Sequence, residues 1–96
     1  MEAKNEKIIG IAWYRREDYP AVLETMVDAH LLPRNYDAWL ALASQVVKIE
    51  ELNGSRIVKA NIPPHDFLAW CRTSQLMPDV KARTRWVNQA ISGAGP

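Results

Sequence analysis

Ile8-Ile9-Gly10-Ile11-Ala12-Trp13-Tyr14 is an unbroken apolar run rich in β-branched and aromatic residues. A run of that length suits a strand buried on both faces better than an amphipathic one. Arg15-Arg16-Glu17 closes it. A second strand is expected over Ser55–Ile62, ended by Pro63-Pro64. The rest of the chain reads as helices between and after these two strands.

Asp18 is a good N-cap, and Pro20 falls in a first turn, where a missing N–H costs nothing. Tyr19, Val22, Leu23, Met26, Val27 and His30 then keep helical spacing up to the stop at Leu32-Pro33. Asn35 caps a second helix, whose apolar face carries Trp39, Leu42, Ala43, Val46 and Val47 and extends, on the helical reading, to Leu52. Gln45–Leu52 has two readings. Val46-Val47-Lys48-Ile49-Glu50 suits a strand if Asn53-Gly54 is a hairpin turn, and a helix if Asn53-Gly54 is its C-cap. Leu40–Gln45 offers no break from the helix before it, so helix is preferred. A third helix starts at Pro64 or His65 with Phe67, Leu68, Trp70 and Cys71 on its apolar side, and Met77-Pro78 ends it. Asp79 caps a fourth, in which Val80, Thr84, Val87 and Ile91 recur at helical spacing beside Trp86 and Ala90.

The expected class is therefore α+β: a small antiparallel sheet covered by about four helices. One domain spans residues 8–91, between flexible tails at 1–7 and 92–96. The order of elements repeats as βαα-βαα. Asp18-Tyr19 matches Asp66-Phe67, Leu32-Pro33 matches Met77-Pro78, and Trp39 matches Trp86. A pseudo-two-fold relating such halves is expected to set the strands antiparallel.

At 96 residues the chain is one domain long. Hydrophobic residues at 48% and charged residues at 24% are globular values. A net charge of +1 lacks the basic excess of a dedicated nucleic-acid binder. The single cysteine, Cys71, precludes an internal disulfide. No segment approaches the length of a membrane span, and Met1–Lys7 lacks the apolar core of a signal peptide, so a cytoplasmic location is expected.

Four tryptophans, Trp13, Trp39, Trp70 and Trp86, invite a stacking platform, but each lies on or beside an apolar face, which favours core packing. His65 and Cys71 are six residues apart and point roughly 120° away from each other on a helix, so they do not make a nucleophile pair. Cys71 instead shares a face with Phe67 and reads as a buried thiol. His30 and His65 are isolated, so no metal is expected, and no glycine-rich loop suggests a nucleotide cofactor. No residue is assigned a catalytic role. Arg15, Arg16, Lys81, Arg83 and Arg85 are the candidate phosphate contacts. Arg83 has a second reading, as the partner of a buried carboxylate such as Asp18 or Asp66.

Trp13-Tyr14, Asp18-Tyr19, Tyr36-Asp37-Ala38-Trp39, Asp66-Phe67-Leu68-Ala69-Trp70-Cys71 and Ala82-Arg83 resemble the motifs of a small bacterial family of uncharacterised proteins, a domain of unknown function. The resemblance spans most of residues 8–91. It implies no activity and carries over no site residue. The function expected is a non-enzymatic protein-interaction or regulatory domain. It is expected to be homodimeric, because Ile8–Tyr14 offers more apolar surface than four helices readily cover. One alternative is a nucleic-acid-associated regulator using the basic fourth helix. Another is a small-ligand protein or enzyme with a pocket near His65, Tyr14 and Tyr36.

Overall fold

A computed structural model describes residues 7–92. The tails expected at 1–7 and 92–96 lie outside that range, apart from Lys7 and from Ser92, the last residue of a helix. The order is β1 (Ile8–Trp13), α1 (Tyr19–Thr25), α2 (Tyr36–Leu52), β2 (Arg56–Asn61), α3 (Pro64–Thr73) and α4 (Val80–Ser92), with short 3-10 turns at Arg16–Asp18 and Ala29–Leu31. The class is α+β, with two strands and four helices.

The two strands are parallel, not antiparallel as the sequence suggested; Ile8 lies opposite Arg56 and Trp13 opposite Asn61. The cause is the connection. At 17 residues α2 is roughly 25 Å long, enough to run back along the whole sheet. It returns the chain to the end where β1 began, and the Arg56 N–H donates to the Lys7 carbonyl at 2.8 Å. A strand entered from that end can only be parallel to the first.

Helix α2 does run to Leu52, so Gln45–Leu52 is helical as preferred. Asn35 caps its start, its Oδ1 accepting from the Ala38 N–H at 2.8 Å. Its other end is a Schellman motif. Gly54 takes φ +91°, its N–H donates to Glu51 O, and the Ser55 N–H reaches back to Glu50 O. Helix α3 ends in the same way but earlier than Met77-Pro78 suggested. Gln75 takes φ +59°, and the Leu76 N–H donates to Cys71 O at 2.8 Å.

Helices cover both sheet faces. On the Gly10 face lies α4: a Cβ on Gly10 would sit 2.5 Å from Val87 Cγ1 and closer still to Ile91 Cδ1. Side chains alternate along a strand, so Trp13 lies on the opposite face, where its ring meets that of Trp39 from α2 at 5.0 Å. With only two strands, each β1 residue from Ile9 to Trp13 is half-buried rather than buried, and Ile8 is exposed. The fully buried centre lies beyond the strands and holds Val22, Ile62, Phe67 and Cys71.

Gly10→Ala is expected to lower stability by about 1–3 kcal/mol, because its methyl group must displace packed α4 side chains. Urea unfolding measures it. An unchanged midpoint would mean that α4 does not press on the strand.

Candidate functional site

The chain between α1 and α2 departs from its helical pattern for a specific partner. Met26 turns to an extended conformation, ψ 128°, so α1 stops there instead of continuing to His30. The Val27 N–H then donates to the Pro78 carbonyl at 3.0 Å. Asp28 is buried and faces α4. Its two carboxylate oxygens accept from Arg83 Nη1 at 2.8 Å and Nη2 at 3.1 Å, a bidentate fork. Its Oδ2 also accepts from the Val80 N–H at 3.1 Å, while Asp79 Oδ1 accepts from the Ala82 N–H as the expected cap. Two carboxylates thus meet the positive end of the α4 dipole.

Arg83 is therefore paired with a buried carboxylate, but with Asp28 rather than Asp18 or Asp66. Asp18 does not cap α1 either; its carboxylate accepts from Arg15 Nε at 3.2 Å. The Arg83 hydrogen bonds hold the Asp28 carboxyl below its ordinary value, against the opposing effect of burial. Burial works against the Arg83 cation, and Asp28 more than restores it.

Beside this pair lies the Tyr14 hydroxyl, buried and without a hydrogen bond among the described residues. Burial pushes its pKa up to about 12, with Arg83 pulling the other way. Tyr14 belongs to an aromatic cluster with Trp13, Tyr19, Tyr36 and Trp39. The Tyr36 hydroxyl donates to the Tyr14 carbonyl at 3.1 Å. A second cluster joins Phe67, Trp70 and Trp86, and the Trp86 indole donates to Asn61 O at 3.0 Å. The tryptophans pack in these clusters.

The residues singled out from the sequence do not assemble into one site. Tyr14 and Tyr36 meet, but Tyr14 is sealed in the core and His65 stands exposed on the first turn of α3. Arg83 is withdrawn from the phosphate set by its burial. Of the rest, Arg15 pairs with Asp18 and Glu17, and Arg16 with Asp37 at 2.8 Å, while Lys81 and Arg85 stay exposed on α4. Cys71 is fully buried, and burial raises its thiol pKa. Native protein is expected to resist thiol reagents until it unfolds; labelling at the rate of a free thiol would contradict this. Among the described residues no three His, Cys, Asp or Glu side chains gather to hold a metal, and no helix is long and apolar enough to cross a membrane.

Two surface features stand out. One is a pair of open clefts beside α1. The other is the outer face of α2. That helix has one seam toward the core, through Tyr36, Trp39, Leu40 and Ala43, with Val47 half-buried beyond them. A second seam, Ala38, Leu42, Gln45, Ile49 and Leu52, is wholly exposed, as is Val46 beside it. Leu42, Ile49 and Leu52 are 56%, 52% and 81% accessible, values normal for a charged side chain rather than an aliphatic one. Leu42, Val46 and Leu52, expected on the same apolar face as Trp39 and Ala43, lie on the exposed side of the helix instead.

Comparison with protein-family models, characterised proteins and solved structures finds no match to the chain.

Proposed function

We propose that this chain is a non-enzymatic interaction domain that works as a homodimer joined through the outer seam of α2. One observation carries the reading. Ala38, Leu42, Gln45, Ile49 and Leu52 follow one another at steps of 4, 3, 4 and 3 residues. That spacing averages 3.5, the period at which one helix packs lengthwise on another. The seam carries no charge, while Asp37, Lys48 and Glu51 occupy other directions around the helix. A helix apolar on two sides is ordinarily covered on both. In an antiparallel two-fold pairing Leu42 meets Ile49 of the other copy, and the Gln45 side chains meet near the axis, where a polar residue fixes register.

The βαα-βαα order belongs to this reading as an internal duplication. The parallel strands lack the pseudo-two-fold expected of such halves, so only the order of elements supports it.

Leu42→Glu and Ile49→Glu test the seam. Both side chains are exposed, so the fold is expected to survive, with unfolding free energy within ~0.5 kcal/mol of the wild-type monomer. Their dimers are expected to weaken at least about tenfold, the effect of ~1.4 kcal/mol, because each places two carboxylates in an apolar contact. A mass profile over concentration that matches wild type would remove α2 from the interface.

A further inference from the structure

The open clefts beside α1 have a chemistry of their own. The first, about 300 Å³, is floored by Tyr19, Pro20, Leu23 and Tyr36, with Arg16 and Arg34 at its rim. The second, about 410 Å³, continues from the same Leu23 and Arg34 to Ala29, His30, Leu32 and Pro33. The two clefts share Leu23 and Arg34 and adjoin along α1 and the segment leading into α2; together they are called the trough. Its floor is aromatic and aliphatic. No acidic residue lines either cleft; neither Glu24 nor Asp37 is part of the walls. Arg16 lies 4.7 Å over the Tyr36 ring, held by Asp37. Arg34 makes no ion pair or hydrogen bond among the described residues and is exposed. The trough is fixed in shape, because the Tyr19 hydroxyl donates to the Pro33 carbonyl at 2.6 Å and ties α1 to the far wall. A preformed wall lowers the ordering cost of whatever binds there.

We infer that this trough takes a short acidic and apolar peptide segment of a partner protein, with its apolar side chains on Pro20, Leu23 and Tyr36 and a carboxylate on Arg34. The charge of the walls sets the sign of the partner: no carboxylate lines the trough, and Arg34 is an exposed lining cation with no ion pair among the described residues, whereas Arg16 is paired with Asp37. The openness of the trough sets the size. Small molecules bind where most of their surface is enclosed, whereas an extended segment lies in an open groove and gains from its length. The inference rests on the interaction-domain reading and names the partner chemistry of a surface separate from the α2 seam.

The test uses a fluorescent eight-residue peptide alternating acidic residues with Leu and Phe, titrated with the full chain by anisotropy and by amide NMR. Saturable, salt-sensitive binding is expected, with shifts concentrated at Leu23, Arg34 and Tyr36. Arg34→Glu is expected to weaken binding by at least about tenfold, the contribution of one charge-assisted hydrogen bond. Replacing the peptide's acids by Asn and Gln is expected to do the same, and Arg85→Glu, on α4, to change nothing. Arg34 is exposed, so its variant folds, which circular dichroism checks; Arg34→Ala provides a second, milder variant. No saturable binding at millimolar peptide, equal binding of the amide analogue, or binding indifferent to Arg34 each overturns the inference. The titration is repeated on Leu42→Glu. Lost binding with an intact wild-type dimer refutes the trough alone, whereas a monomeric wild type that still binds the peptide refutes the seam alone.

Discussion

Asp28→Asn is expected to lower the unfolding free energy by about 3–5 kcal/mol, the cost of leaving a buried charge without its partner. Small domains have about 5–15 kcal/mol in total, so the variant is marginal. The amide has one acceptor oxygen, which can still accept from the Val80 N–H, but its NH2 group cannot accept from Arg83, so the bidentate fork is broken and the Arg83 cation remains buried. Replacing both partners removes the stranded cation, so Asp28→Asn combined with Arg83→Met is expected to recover much of the loss. Acid gives an independent arm. The folded state holds the Asp28 carboxyl below its ordinary value of 3.8. Its stabilisation is therefore complete above that value and is lost as pH falls below it, through the folded-state pKa. The wild-type urea midpoint is expected to drop steeply below about pH 4, and the Asp28→Asn midpoint to be flatter over the same interval. A variant within ~0.5 kcal/mol of wild type, with the same acid slope, would show that the pair does not anchor α4.

Trp39→Ala is the second large effect, expected at about 3–5 kcal/mol. Trp39 is 7% exposed, and its ring centre lies 5.0 Å from Trp13, 5.0 Å from Tyr14 and 5.3 Å from Tyr36. It joins α2 to the end of β1, so its removal opens a cavity lined by the rings of Trp13, Tyr14, Tyr19 and Tyr36. Trp86→Ala is expected to cost less, since Trp86 is half-buried and loses one hydrogen bond to Asn61 O along with its packing. Urea unfolding of both variants, with circular dichroism to check the fold, provides the comparison. Equal small losses would make both tryptophans surface residues.

Features set by local chemistry were legible in the sequence. Asn35 and Asp79 cap their helices because short polar side chains reach N–H groups three residues on. Gly54 ends α2 because it takes positive φ freely. Cys71 and Trp39 are buried because each shares a helix face with apolar neighbours. Features set across the chain were not legible. Nothing near Asp28 marks it as the residue that breaks α1, because its partner is 55 residues away. Arg83 did carry a signal: it lies three residues before Trp86 and four before Val87, on the face of α4 that packs inward, whereas Val80 is exposed. Strand direction depended on which end of the sheet α2 returns to, and the motif repeat does not encode that. The trough joins Arg16, Leu23, His30 and Arg34 only after the chain has turned at Met26 and again at Leu32.

In the proposed dimer, α2 packs one apolar seam inside the domain and lays the other on a second copy. The pairing is isologous, so it closes at two chains. Sedimentation equilibrium of the full chain over micromolar concentrations tests this most directly. The result it predicts is a mass of twice 10.9 kDa for wild type, falling toward 10.9 kDa for Leu42→Glu under the same conditions. A wild-type mass of 10.9 kDa throughout that range would contradict it.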